Sequence, residues 1–390
     1  MNPLRPRYHF SPQAGWINDP NGAVRVDGLY HLFYQANPHG LVHGPMHWGH
    51  ATSVDLANWT EQPIALYPEA SGQCFSGSAV AAREGRVAPE LAADDAILLF
   101  YTAHRDGSPY VEDQAIAIAD RGMTSFRKFA GNPVLPTPGP RDFRDPKVIW
   151  HAATQRWIMV VTHGQSIGIY SSSDALSWQA ESEFGRRPWE CPDLFPITVE
   201  GSGEQAWILV VGLGQGHISG GSGTQYFVGD FDGQVFRNRH SAETELFMDW
   251  GRDYYATQSF SGLNGEDPLA VAWMSNWLYA NHTPSEDFRG SMSLPRRLTL
   301  IETPHGLRLG QRVDEAVRAA FDPLSVAAGT PATPSSAAYR FAHRWAGEVG
   351  DELTLSLFGE ADPVFTVRRT ASDTCSVTIN RGAHPAIAPE

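Results

Sequence analysis

Long stretches of Ala, Leu, Glu and Lys at helical spacing are absent from this 390-residue sequence. So are apolar runs of the length that spans a bilayer: the longest candidates, 96–103 and 207–214, have the length of strands, and no membrane partner is expected. Basic residues are outnumbered, 29 Lys and Arg against 43 Asp and Glu, and the net charge of −14 is spread without blocks. Nucleic-acid binding needs a basic face, so that class is set aside. Cysteine is scarce and odd in number. Cys74, Cys191 and Cys375 lie far apart, which argues against a disulfide framework or a thiolate metal site and fits a reducing compartment. No apolar h-region follows Met1-Asn2-Pro3-Leu4-Arg5-Pro6-Arg7, so the expected location is cytoplasmic, with secretion left open if the N-terminus has been trimmed.

What is present is turn chemistry and aromatic mass: 28 Pro, 37 Gly and 12 Trp, within a composition that is 42% apolar and long enough to bury a core. Short apolar runs recur at 29–34, 96–101, 114–119, 148–150, 157–161, 168–170, 206–211, 226–231 and 270–274, separated by polar turns. Turn signals roughly 8–12 residues apart, with no amphipathic helix between them, predict an all-β protein. A Trp follows a polar turn at Trp59, Trp157 and Trp178, as in repeated hairpin units, and a propeller fits best. At about 60 residues per blade, residues 1–305 would form a five-bladed β-propeller, although the period alone does not fix that count. Residues 306–338, ending in the small-residue stretch TPATPSSAA, are expected to be a linker. Residues 339–390 carry further candidate strands at 339–341, 352–358, 364–368 and 375–379. That is a short, apparently incomplete β-sandwich, since roughly 50 residues are few for a double sheet.

Three acids stand at or beside a proline bend: Asp19 in Gly15-Trp16-Ile17-Asn18-Asp19-Pro20-Asn21-Gly22, Asp145 in Arg144-Asp145-Pro146, and Glu190 in Glu190-Cys191-Pro192. A residue before proline is pushed towards extended geometry, and Asn21-Gly22 is expected to turn the chain sharply, so a carboxylate held there is aimed. One Asp-Pro is ordinary turn punctuation; three in a lightly charged chain point to catalysis. Glycosidic cleavage needs two carboxyl groups on opposite tasks, with other groups gripping sugar hydroxyls. Asn18, Gln35, Ser76 and Arg144 are candidate hydroxyl partners. Trp16, Trp48 and Trp277 are candidate flat faces for a sugar ring, although any single Trp is more often a core residue.

The blocks WINDPNG at 16–22, YQ at 34–35, HWGHA at 47–51, FSGSA at 75–79, RDP at 144–146, ECP at 190–192 and RGSMSLPR at 289–296 resemble, in order and spacing, the signatures of glycoside hydrolase family 32, the β-fructosidases. The stretch GGSGTQYFVGDFDG at 220–233 resembles exo-acting levanase, inulinase and invertase members. The resemblance spans about 8–300 and implies a five-bladed propeller with an acidic axial pocket, followed by a β-sandwich that normally runs further than this chain does. It implies Asp19 as nucleophile, Glu190 as general acid/base and Asp145 as the carboxylate that binds two fructose hydroxyls. Asn18, Gln35, Trp48, Phe75, Ser76, Arg144 and Trp277 would line the substrate pocket. Neither metal nor cofactor is implied. In such a pocket each negative charge hinders the next ionisation, so the least solvated acid keeps its proton, and Glu190 is expected to be that acid. Retention would place the two carboxyls at roughly 5–5.5 Å, and the coupled set predicts a bell-shaped pH profile on the acidic side of neutrality.

Other signals are weaker. Gly164-Gln165-Ser166-Ile167-Gly168 matches a nucleophile elbow, but a strand-like run follows where that elbow requires a helix. His43, His47 and His50 mimic ligand spacing on a stretch that reads as strand or loop, where such residues do not share a face. Gly220 to Gly223 lacks the Lys-Ser/Thr of a phosphate loop. Alternatives to hydrolysis of sucrose or fructans are fructosyl transfer through the same intermediate, hydrolysis of sucrose phosphate, for which no basic cluster is evident, and a propeller that binds sugar without cleaving it. The oligomeric state is open.

Overall fold

The structure is a computed structural model that describes residues 4–92, 95–139, 142–321, 345–356, 364–372 and 374–379. The chain divides into two compact units, Met1–Asn281 with Ser285–Asp322, and His282–Pro284 with Pro323–Glu390.

The first unit is the expected five-bladed propeller. Blade I contains Gly15–Val26, Leu29–Asn37, His47–Ser53 and Thr60–Leu66; blade II, Gln73–Ala81, Ile97–Arg105, Val111–Ala119 and Phe126–Lys128. Blade III contains Lys147–His151, Arg156–His163, Ser166–Ser172 and Gln179–Phe184; blade IV, Trp189–Thr198, Gln205–Leu213, Gly223–Phe231 and Phe236–Asn238; blade V, Tyr255–Ser259, Leu269–Trp273, Arg296–Thr303 and Gly306–Val313. Each blade is an antiparallel meander whose first strand is innermost. Two short strands are added: Phe288–Arg289, parallel to the first strand of blade I, and Leu246–Phe247 in blade IV.

The middle strands of the blades are buried on both faces, which explains their near-continuous apolar sequence. Side chains alternate along a strand, so one strand serves two cores. In blade II, Ile97, Leu99 and Tyr101 pack with Val24, Phe33 and Trp48 of blade I, whereas Leu98 and Phe100 pack with Trp157 and Met159 of blade III. Ile158 and Val160 turn the other way, towards Leu209 and Val211 of blade IV. Ile208 and Val210 meet Ala270 and Leu298 of blade V, and Leu269 and Val271 meet Leu32 and Tyr34 of blade I. Five inter-blade cores thus form a ring. Its seam is laced by Arg25 N to Ser261 O at 3.0 Å and Ser261 N to Ala23 O at 2.9 Å.

Two expectations need correction. Gly306–Val313 is not linker: it pairs in full register with Arg296–Thr303 as the outer strand of blade V, and the first unit continues to Asp322. Asn21-Gly22 does not reverse the chain. It sits inside a twelve-residue strand with register shifts about it, and Gly22 has a φ of 48° and no room for a side chain, since a Cβ there would lie 2.8 Å from the Phe33 ring. The connector 330–338 and the candidate strand 339–341 lie outside the described residues. Within the second unit the described strands Glu352–Leu355, Phe365–Ala371 and Thr374–Ile379 form one three-stranded antiparallel sheet. No helix among the described residues is long and apolar enough to cross a membrane.

Candidate active site

Every blade sends its inner strand to one pocket: Asn18 and Asp19 from blade I, Phe75 and Ser76 from II, Arg144 and Asp145 at the entry to III, Glu190 and Cys191 from IV, Tyr255 from V. A regular strand would alternate its side chains between the two flanking cores. The inner strands escape this with bulges, at Ile17/Pro20, Phe75/Gly77, Glu190/Asp193 and Tyr255/Gln258, which re-aim side chains towards the axis. Asp145, Cys191 and Ala256 adopt φ of 64°, 47° and 53°, left-handed conformations that cost about 1–3 kcal/mol each for residues with a Cβ. Three of the ten left-handed non-glycine residues among the described residues thus fall where the acids are delivered.

The pocket has a volume of about 250 Å³, below the usual size for drug-like ligands and suited to one monosaccharide unit. Asp19 Oδ2 accepts from Ser76 Oγ at 2.6 Å and from the Cys191 thiol at 3.4 Å, and its Oδ1 accepts from Asn18 Nδ2 at 3.1 Å. Asn18 Oδ1 in turn accepts from Trp16 Nε1 at 2.8 Å, which fixes the amide so that its NH₂ faces the acid. Burial raises the Asp19 pKa and the charge of Glu190 adds to this, while the bonds from Ser76 and Asn18 pull it down. Asp145 Oδ2 accepts from Cys191 N at 3.0 Å, and the Arg144 Nε lies 3.8 Å away. Its pKa is pushed up to about 7, chiefly by burial, with Arg144 opposing and Asp19 and Glu190 reinforcing. Burial also drives the Cys191 thiol up, assisted by the same acids, so it stays protonated and donates.

Glu190 is held from two sides: Arg144 Nη2 donates to Oε1 at 2.7 Å and the Tyr255 hydroxyl donates to Oε2. Its side chain is 27% exposed, against 5% for Asp145. The solvation order expected from the sequence is therefore reversed. Asp145 is the acid kept driest, because its left-handed backbone turns it under Cys191, whereas Glu190 stands at the rim.

Asp19, Asp145, Glu190, Asn18, Gln35, Phe75, Ser76, Arg144 and Trp277 all line the pocket. Trp48 does not. It is fully buried in the core between blades I and II, and its Nε1 donates to Phe75 O at 2.9 Å, so it shapes the wall from behind. Trp16 is likewise buried and acts through Asn18. Sequence reasoning missed Tyr255, Cys191, Glu112 and His43 as lining residues. Glu112 is 2% exposed and anchors Arg144, whose Nη1 lies 3.4 Å from its Oε2 and 2.8 Å from Asp142 Oδ1. Cys191 lay within a quoted block and His43 within the histidine stretch weighed for metal binding; Tyr255 and Glu112 carry no local signal.

Asp19, Asp145 and Cys191 bring ligand-type atoms within 4.8 Å of one another, the one such group among the described residues. A metal-binding thiol must be deprotonated, and this one is held protonated with both Asp19 oxygens already accepting hydrogen bonds, so the set fits hydrogen-bonded acids better than a cation. The three histidines of the 43–50 stretch diverge: His43 faces the pocket, His47 Nδ1 meets Pro45 O, and His50 Nε2 meets His31 Nδ1 at 3.0 Å. Ser166 begins a hairpin strand and bonds His163 O, which excludes the nucleophile elbow.

A propeller whose inner strands gather three carboxyl groups defines a class, and comparison with known proteins gives the family. Residues 9–312 match the glycosyl hydrolases family 32 N-terminal domain. The chain is 46% identical over 317 residues to the levanase of Bacillus subtilis, covering 79% of this chain and 46% of that protein. It is 38% identical over 350 residues to the extracellular exo-inulinase of Aspergillus niger, covering 80% and 65%. The fructofuranosidase of Schwanniomyces occidentalis complexed with fructose superposes with a TM-score of 0.73 at 37% identity, covering 79% of this chain and 63% of that one. The chain belongs to glycosyl hydrolase family 32, and it spans about half to two-thirds of the length of these relatives.

Proposed function

We propose that this chain is a retaining, exo-acting β-fructofuranosidase that releases terminal fructose from sucrose or from inulin- or levan-type fructans. The observation that carries the reading is the meeting of Asp19, Asp145 and Glu190, from three different blades, in one pocket sized for a single sugar ring. In this reading ionised Asp19, aimed by Ser76 and Asn18, attacks the anomeric carbon while Glu190 gives its proton to the departing glycosidic oxygen. The C–O bond breaks as the fructosyl–Asp19 ester forms. Glu190 then takes a proton from water, which attacks the same carbon and frees Asp19. Asp145 and Arg144 grip ring hydroxyls, and a protonated Asp145 can donate as well as accept. Glu190 at the rim is placed to meet the leaving group and later the water.

The test is fructose release from sucrose, inulin, levan and phosphorylated sucrose, side by side, with Asp19→Asn and Glu190→Gln as controls. Release from the first three, lost in both variants, supports the reading. Oligosaccharides predominating over free fructose at high sucrose would assign transfer instead, and tight fructoside binding with no release by wild type would assign a binding protein.

A further inference from the structure

A pocket for one ring leaves the rest of any longer substrate outside it, against the rim. Residues 214–222 connect the second and third strands of blade IV and start beside the rim acid: a Cβ on Gly214 would lie 2.7 Å from Glu190 Oε2. They end at Trp277, whose N–H donates to Ser222 Oγ at 3.1 Å. The loop is fastened from below by Asn276, which donates to Gly220 O, Ser222 O and Arg252 O and accepts from Ser222 N. It is fastened to the approach to blade V by Ser219, whose hydroxyl donates to Trp250 O.

On this fastened scaffold stand Ile218, 62% exposed, and Trp250, 67% exposed. Trp250 meets Phe247 edge-on at 5.7 Å. Trp250 stands on the approach to blade V, tied to the loop by Ser219 and by His217 Nε2, 3.1 Å from Asp249 O, and exposed apolar groups held in place beside a site mark a binding surface. The loop that carries Ile218 begins beside Glu190 and ends at the pocket-lining Trp277, and Trp250 is tied to it through Ser219, so both residues belong to the Glu190 sector of the mouth. In the proposed reaction the leaving group departs from that side, so whatever follows the cleaved bond runs over these residues.

We propose that Trp250, supported by Ile218, is a stacking platform for the sugar units of a fructan that follow the first leaving unit, on the leaving-group side of the pocket. The inference rests on the fructosidase reading for its choice of ligand. Sugar rings present flat C–H faces that pack on an indole, and a platform beyond the first leaving unit selects polymer over sucrose without touching the reacting atoms. Trp250 is a specificity residue and not a catalytic one.

The experiment uses the full chain with Trp250→Ala and Trp250→Phe. Binding of an inulin-type oligosaccharide and of free fructose is titrated calorimetrically on an Asp19→Asn background, and kcat/KM is measured for inulin and sucrose on the active background. The expected result is oligosaccharide binding weakened about tenfold by Trp250→Ala with fructose binding unchanged. The ratio of kcat/KM for inulin over sucrose should fall by a similar factor and be largely kept by Trp250→Phe. Equal effects on oligosaccharide and fructose, or none on either, would overturn the platform. A wild type that releases no fructose while its oligosaccharide binding still depends on Trp250 would overturn the fructosidase reading and leave the platform standing.

Discussion

Arg144 Nη2 donates to Glu190 Oε1 at 2.7 Å, so a guanidinium at the entry to blade III holds the rim acid of blade IV. The same side chain reaches Asp142 at 2.8 Å and Glu112 at 3.4 Å, and lies 3.8 Å from Asp145. One cation therefore sets the spacing of the acids. Lysine has the charge but not the planar fork. Arg144→Lys should lower kcat/KM for sucrose on the order of 10²-fold, the usual loss when an oriented donor is removed from a site of developing charge. Steady-state kinetics on folded variant protein checks it; near-wild-type activity would mean that charge alone suffices.

Ser76 Oγ donates to Asp19 Oδ2 at 2.6 Å and favours the ionised carboxylate, against burial that favours the acid form. Removing the donor leaves burial less opposed, so the Asp19 pKa rises further. In Ser76→Ala the acid limb of the kcat/KM profile should move to higher pH, and the deficit against wild type should be larger at pH 4.5 than at neutrality. A limb that stays in place or moves down would contradict the assignment of Asp19 as the group that must be ionised.

Asp145 gives a stability prediction of definite sign. Its folded pKa of about 7 lies above the unfolded value of about 3.9. Between these values the folded state holds a proton that the unfolded chain has lost, so stability contributed here is full below about pH 4 and declines as pH rises through about 7. Asparagine cannot ionise. The Tm difference between Asp145→Asn and wild type should therefore shift in favour of the variant from pH 4 to pH 7.5, by about 2–4 °C for each kcal/mol involved, while fructose release is lost. Melting curves at the two pH values read this directly, and a constant difference would mean that the acid is not strongly perturbed.

The acids were legible in the sequence because each sits with its own bend: Asp19 and Asp145 before prolines, Glu190 one residue earlier, all local features. Partners delivered by the ring were not. Tyr255 of blade V reaches Glu190 of blade IV, and Glu112 of blade II reaches Arg144 at the entry to blade III, because neighbouring blades meet around the axis. Nothing near either residue announces that. Trp48 was misplaced because alternation tells which face a residue takes but not its depth: it pairs with Gln35 across the strands, yet Gln35 lines the pocket while Trp48 lies behind Phe75. The strand Gly306–Val313 read as linker because an outermost strand is covered on one side, so only Leu307, Leu309 and Val313 are apolar and it lacks the near-continuous apolar run of the middle strands. The order of desolvation was inverted because it depends on the left-handed backbone at Asp145 and Cys191, which no local sequence pattern announces.

Beneath the pocket, Lys147 Nζ lies 3.1 Å from Asp193 Oδ2 and donates to Ser259 O at 2.8 Å and Ser259 Oγ at 2.9 Å, while Ser259 Oγ donates to Asp193 Oδ1 at 3.0 Å. The cluster ties the inner strands of blades III, IV and V, two residues after Asp145 and three after Glu190, and both charged side chains are almost wholly buried. Removing one partner leaves an uncompensated charge in the core, which costs about 3–5 kcal/mol, whereas removing both can be close to neutral. Lys147→Met should therefore be strongly destabilising in urea denaturation, and the double variant Lys147→Met/Asp193→Asn should recover much of that loss. Fructose release per folded molecule should fall in both variants, because the cluster fixes the height at which Asp145 and Glu190 enter the pocket. Full stability in Lys147→Met alone would show that Asp193 is compensated without Lys147, by Ser259 or by water.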